Sequence, residues 1–262
     1  MKILRVSCIF GGFLSLVLSL SAQTFTTLHN FEGTDGYNPV RGLVQATNGD
    51  LYGTTSLGGA NGYGTVFKIT PSGTLTTLYN FCSQSGCADG AEPNTTLIQA
   101  SNGDLYGTTL GGGTNSDGTV FKITLGGTLT TLYRFCLQSN CADGYSPEAG
   151  LVQASNGLLY GTTYYGGAHG DGTVFKITLS GTLTTLHAFD SADGDNPSRG
   201  AGLIQATNGN LHGITEYGGA FGLGTAFKIT PSGTLTTLYS FCPVVNQNGY
   251  CTDGQRPEGA LV

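Results

Sequence analysis

Three side chains, His169, Asp171 and Glu216, form the one His-and-carboxylate grouping that breaks the repeat pattern of the chain. His169 and Asp171 share a Gly-rich loop, and Glu216 stands in the equivalent loop one repeat later. Two carboxylates held across a cleft can hydrolyse a glycoside, but the chemistry depends on their separation, which sequence spacing does not set. The remaining histidines are substitutes for aromatic residues: His29 and His187 fill the slot of Tyr79, Tyr133 and Tyr239, and His212 that of Tyr52, Tyr106 and Tyr160. No Ser nucleophile elbow, phosphate loop or HExxH motif occurs.

Oxygen and sulfur ligands cluster in five copies of Asp-Gly-x-x-Pro, beginning at Asp35, Asp89, Asp143, Asp193 and Asp253. Such a string makes a capped turn: Asp bonds a downstream amide, Gly takes positive φ, and Pro fixes the start of the next strand. Two copies place extra oxygen groups on one short loop, Glu32, Asp35 and Asn38 in the first and Asp190, Asp193, Asp195 and Asn196 in the second. Clustered oxygens of this kind suit calcium, the one cofactor the sequence suggests, with a solvated acidic turn as the alternative. The other three copies follow longer insertions, each holding a close cysteine pair: Cys82 with Cys87, Cys136 with Cys141, and Cys242 with Cys251. Local disulfides would staple these enlarged loops; zinc would need ligands from pairs about 54 residues apart and no His at suitable spacing. Lys68, Lys122, Lys176 and Lys228 share one repeat position and would form an arc of positive charge able to attract an anionic glycan, or else cover apolar strand surface with their stems.

The elements that must position these residues repeat. Leu-Tyr-Gly-Thr-Thr begins at Leu51, Leu105 and Leu159, and an altered copy begins at Leu211. Around each copy the order is constant: an apolar run, an Asn-Gly turn, the Tyr-Gly-Thr-Thr segment, a Gly-Gly loop, Gly-Thr-Val-Phe-Lys-Ile-Thr, a Gly turn and a Thr-Leu-Thr-Thr-Leu segment. Asn-Gly between apolar runs is a strong hairpin signal, and the Val, Ile, Thr, Tyr and Phe flanks suit strands. Four short strands per repeat are expected, over residues 40–81, 94–135, 148–189 and 200–241. The segment Gly64 to Thr70 is apolar on both faces, so its sheet must be covered on both sides. Radial stacking of four-stranded antiparallel blades achieves this, giving an all-β, propeller-like array; a β-sandwich would not return strands in identical groups of four.

These strings resemble the GloVer repeat family, the choice-of-anchor tandem-repeat proteins named for Gloeobacter and Verrucomicrobia. Gly42 to Lys68 and Gly150 to Lys176 carry the likeness: Gly-Leu-Val-Gln-Ala, Asn-Gly, Leu-Tyr-Gly-Thr-Thr, Gly-Gly and Gly-Thr-Val-Phe-Lys. The resemblance implies a bacterial, exported protein, often with a C-terminal anchor, and it brings no catalytic residues. Here the pattern begins with a lone fourth strand, Thr24 to Phe31, and stops at Gly259 to Val262, the first strand of another repeat, so an incomplete arc or a truncated ring is expected.

Composition agrees. Of 262 residues 44 are Gly and 8 Pro, without the triplet period of collagen, and 39% are hydrophobic against only 10% charged, which argues for a packed core over disorder. Lys2 and Arg5 precede an apolar stretch from Val6 to Leu20 and small residues at Ser21-Ala22, a signal peptide over residues 1–22; 15 apolar residues fall short of the ~20 that span a bilayer. Cleavage near Ala22 removes two of the 10 basic residues and leaves 16 acidic ones, a net charge of −8 that disfavours nucleic acid. An even count of mature cysteines suits an oxidising compartment. The expected product is an extracytoplasmic, non-enzymatic propeller over residues 23–262 that binds or adheres, with a polysaccharide or a surface protein as partner. The alternatives are a secreted carbohydrate-active hydrolase or lyase using the loop acids, and a structural component of the envelope.

Overall fold

The computed structural model describes residues 25–39, 41–200, 202–259 and 261. The expected signal segment lies outside them, as do Thr24, Ala260 and Val262. The described chain is all-β apart from two short 3-10 turns, Ser85–Cys87 and Ser139–Cys141.

Blade 1 comprises β1 (Val44–Gln45), β2 (Leu51–Thr55), β3 (Thr65–Ile69) and β4 (Leu75–Asn80), paired antiparallel in sequence order. Blade 2 repeats this with β5 (Ile98–Gln99), β6 (Leu105–Thr109), β7 (Thr119–Ile123) and β8 (Leu129–Arg134). Blade 3 follows with β9 (Val152–Gln153), β10 (Leu159–Thr163), β11 (Thr173–Ile177) and β12 (Leu183–Ala188). Blade 4 adds a short strand, β13 (Asp195–Pro197), before β14 (Ile204–Gln205), β15 (Leu211–Tyr217), β16 (Thr225–Ile229) and β17 (Leu235–Ser240). Register is identical in all four: Tyr52 pairs with Lys68, Tyr106 with Lys122, Tyr160 with Lys176 and His212 with Lys228. Each third-to-fourth strand pair carries the same bulge, after Val66, Val120, Val174 and Ala226. The four sheets do not close a ring among the described residues.

The core lies between blades. Tyr52, Val66 and Phe81 of blade 1 pack against Leu97, Leu105, Phe121 and Ile123 of blade 2, and two equivalent clusters fill the next two junctions. This is why the third strand is buried on both faces. The Gly of Tyr-Gly-Thr-Thr serves the same packing: a Cβ on Gly107 would lie 2.7 Å from Phe121 Cζ and 2.8 Å from Leu97 Cδ2, so only Gly leaves room for the ring. Polar links cross the junctions too. The amides of Thr47, Ser101 and Ser155 donate to Oε1 of Gln99, Gln153 and Gln205 in the following blade, at 2.8–2.9 Å.

One expected strand differs. Residues 25–32 form no paired strand, although Phe31 packs edge-on against Phe67 as Phe81 does against Phe121. The segment keeps the side-chain seat of a fourth strand, yet no third strand lies beside it among the described residues to supply a ladder.

Candidate functional site

Antiparallel order gives every blade two ends. At the lower end lie the Asn-Gly hairpins; at the upper end the first strands begin, the second strands finish, and the Gly-Gly and Asp-Gly-x-x-Pro loops gather. Upper-end loops are buttressed by the repeated Asp. Asp89 is fully buried and accepts from the Tyr79 hydroxyl (2.8 Å), the Ser83 amide and hydroxyl (2.9 Å each) and the Gln84 amide (3.2 Å). Burial alone would raise its pKa, but these hydrogen bonds outweigh that and hold it below the ordinary carboxylate value. Asp143 repeats the arrangement with Tyr133, Leu137 and Gln138, and Asp253 with Tyr239 and the Cys242 amide.

The two oxygen-rich loops follow the same plan with histidine in place of tyrosine. His29 Nε2 meets Asp35 Oδ2 at 2.6 Å, and the Glu32 amide takes the other oxygen at 2.8 Å. His187 Nε2 lies 2.8 Å from Asp193 Oδ2, as in an ion pair, although its alignment is too poor for a hydrogen bond. The Asn38 amide nitrogen donates to Ser56 Oγ, and that of Asn196 to the Tyr164 carbonyl. Of the carboxylates suggested as calcium ligands, those of Asp35, Asp190 and Asp193 are thus engaged in turn-building contacts. Among the described residues one grouping brings three ligand-type atoms within 4.8 Å, Asp117 with Cys136 and Cys141, and both sulfurs there are taken up by their own disulfide. Cys82–Cys87 and Cys242–Cys251 are bonded likewise.

The lysines stand toward the lower end, and their arc is uneven. Lys68 is 3.8 Å from Asp50 and Lys122 is 3.9 Å from Asp104, while Leu158 and Asn210 occupy the acid's position beside Lys176 and Lys228. Lys176 Nζ instead approaches the Pro231 carbonyl at 3.5 Å.

The trio of His169, Asp171 and Glu216 is not assembled as a unit. His169 is exposed, Asp171 accepts from the Ser191 amide and hydroxyl at 2.8 Å each, and none of the three hydrogen-bonds to another. Glu216 belongs to a different cluster, at the upper end of the axis where the first strands converge. Its carboxylate accepts the Tyr164 hydroxyl at 2.9 Å and the Arg199 amide at 3.4 Å. The Arg199 guanidinium lies 4.1 Å above the Tyr164 ring and its Nε 3.5 Å from Glu148 Oε2. Glu148 and Glu216 are buried, at 8% and 7% exposure, whereas half of the Arg199 side chain is open to solvent. Arg41, Gly200, Tyr217 and Glu258 join Tyr164, Arg199 and Glu216 in lining a cleft of about 480 Å³, and Glu148 is tied to it through Arg199. Arg41 also faces a second cleft with Asn94, whose buried Oδ1 has no hydrogen-bond partner among the described residues.

The electrostatics of this basin are mixed. Burial raises the Glu148 pKa; Arg199 and Arg41 pull it down and Glu216 pushes it up, and the net shift is upward. Burial, together with the Glu216 carboxylate that accepts its hydrogen bond, pushes the Tyr164 hydroxyl up to about 12. Tyr164 therefore stays a donor at any working pH, and the basin presents fixed donors and acceptors side by side. Sequence reasoning reached Glu216 but not Glu148, Arg199, Tyr164 or Arg41. The available signal was divergence between copies: position 164 reads Ser56, Leu110, Tyr164, Glu216 across the repeats, while the residue after Pro reads Asn94, Glu148, Ser198 and Glu258 in the last four copies.

A family model described as the Gloeobacter/Verrucomicrobia repeat matches residues 16–142 and 83–262. No curated protein matches the chain significantly in sequence. Among solved structures, a Penicillium chrysogenum alpha-L-arabinanase complexed with arabinobiose aligns at 15% identity and TM-score 0.47, covering 80% of this chain and 67% of that one. An endo-arabinase from Bacteroides thetaiotaomicron aligns at 16% identity and TM-score 0.42, over 76% and 80%. A protein of unknown function from the same bacterium aligns at 15% identity and TM-score 0.49; 79% of this chain is covered but only 44% of that chain, less than two thirds of its length. None of these likenesses says what this chain binds or acts on.

Proposed function

The chain belongs to the Gloeobacter/Verrucomicrobia repeat family, and for this member we propose an exported, non-catalytic binding propeller that holds a carbohydrate at the upper end of its axis. The observation that carries this reading is the axial cluster itself. Repeated residues across the four blades build the scaffold, whereas Arg41, Tyr164, Arg199, Glu216 and Glu258, at positions where the copies differ, meet around one basin, with Glu148 joined to it through Arg199. Fixed donors beside fixed acceptors match the vicinal hydroxyls of a sugar, and the contacts within the cluster hold them in place before a ligand arrives. Export is supported by the three disulfides and by the N-terminal signal pattern; no helix of the described residues is long and apolar enough to cross a membrane.

A glycan array run in parallel with a reducing-sugar assay tests the proposal. Retention of a glycan without release of sugar is the expected result; absence of any retention overturns it. One observation favours a second reading, a glycoside hydrolase: Glu148 and Glu216 both engage Arg199 at the axis, and burial raises the Glu148 pKa as a proton donor requires. In that case sugar would be released and Glu148→Gln would abolish release.

A further inference from the structure

Blade 2 has a gap on its upper face where its neighbours carry large side chains. The backbone bridge that closes this face joins Tyr37 to Leu57 in blade 1 and Tyr145 to Tyr165 in blade 3, but Ala91 to Gly111 in blade 2. The missing side chains leave a cleft of about 610 Å³, within the ~300–1,000 Å³ range of small-molecule sites. Tyr63 borders it on the blade 1 side and Tyr165 on the blade 3 side, 44% and 37% exposed. Tyr145 stacks against Tyr165 at 5.3 Å and 25°, and Tyr164 meets Tyr165 edge-on at 4.6 Å, so the ring is held in place. At its inner end the cleft reaches Glu148 and Arg199 and so opens into the axial cluster.

The residue before the repeated Pro has an uncommon backbone conformation. All five copies hold it at positive φ, from 50° to 63°. The conformation has a structural cause, since the Glu92 amide donates to the Tyr63 carbonyl at 2.9 Å and the Ser146 amide to the Asp117 carbonyl at 3.0 Å, tying adjacent blades. Asn, which tolerates this region best among non-glycine residues, stands there as Asn38 and Asn196. Glu92 and Ser146, which line the cleft, are less suited to it, and the blade-to-blade link makes no use of a carboxylate or a hydroxyl.

We infer that this cleft is a subsite for a neutral pyranose unit of an oligosaccharide that runs outward from the axial cluster over blade 2, with its ring against Tyr165 and its hydroxyls on Glu92, Ser146 and Arg199. The inference rests on the carbohydrate-binding reading above and adds the path of the chain. The neutral class follows from charge: two carboxylates, Glu92 and Glu148, against one guanidinium, Arg199, in the cleft lining disfavour an anionic sugar.

The test fills the cleft with residues that the repeat itself uses. The double variant Ala91→Tyr/Gly111→Tyr copies the blade 3 pair, and Gly111→Leu copies blade 1. A Cβ on Gly111 meets nothing closer than 3.8 Å, and this glycine is not at positive φ, so the single variant introduces no backbone strain. Cello-, xylo-, manno- and malto-hexaose, with hexagalacturonate as the charged arm, are titrated calorimetrically into wild type and both variants, with melting temperature as the folding control. The inference predicts that wild type holds a neutral hexaose and that folded cleft-filled variants hold it roughly tenfold or more weakly. Equal affinity in a folded variant overturns the path while leaving the axial reading intact. Preference for hexagalacturonate overturns the neutral class, and failure of wild type to bind any of the five removes the axial reading and the subsite together.

Discussion

Asp89 and Glu148 are both buried carboxylates, and they act on stability in opposite senses. Asp89 has its folded pKa lowered by the hydrogen bonds it accepts, so its contribution is fully present above the unfolded value of ~3.9 and is lost as pH falls through the folded value. Asp89→Asn leaves the buried donors around it poorly matched, and urea unfolding at pH 7 should show a loss of about 1–3 kcal/mol. That difference should shrink below about pH 4. Glu148 has its folded pKa raised, chiefly by burial, so what it contributes is present below the unfolded value and lost as pH rises through the folded one. Glu148→Gln should therefore raise the melting temperature at pH 7, with a gain of about 0.5–1 kcal/mol, while weakening ligand retention. A lower melting temperature would mean that the Arg199 and Arg41 contacts outweigh the burial cost, and that Glu148 is a structural residue.

At the scale of the blade, the junction is the unit of stability. The Gly of Tyr-Gly-Thr-Thr is needed because Phe121 crosses directly over Gly107. Gly107→Ala should cost about 1–3 kcal/mol in denaturant unfolding, since the new methyl must displace a ring already packed into the blade 1 junction. Much of the element structure was legible from residues: Asn-Gly marked the hairpins, and the doubly apolar segment Gly64 to Thr70 marked a strand covered on both sides. The histidine slots were legible as well, with His29 and His187 each set beside the Asp that Tyr79 and Tyr133 contact elsewhere. The strand status of residues 25–31 was not legible, because a strand depends on a neighbour that its own sequence does not encode.

The functional site exists only at the scale of the whole molecule. Glu148 follows Pro147 at the tail of a turn, and Arg199 lies in a two-residue lengthening of the corresponding segment of blade 4; neither is a motif in its own repeat. They meet because radial stacking brings the starts of successive first strands to one axis, a distance relation that periodicity implies but does not specify. Asp171 and Glu216 looked comparable in sequence because both fall between the Tyr-Gly-Thr-Thr segment, or its altered copy, and the third strand of their repeats, although the fold extends β15 through Glu216. In the fold, one buttresses the Ser191 turn and the other faces the axis. On the proposed function, ligand binds at this axis and not at the lysine arc at the opposite end. Calorimetric titration of an array-selected neutral hexaose into wild type, Arg199→Ala and Lys176→Ala/Lys228→Ala separates the two. Arg199→Ala should weaken binding roughly tenfold or more while the lysine variant binds as wild type does; unchanged affinity in Arg199→Ala with loss in the lysine variant would place the ligand on the arc instead.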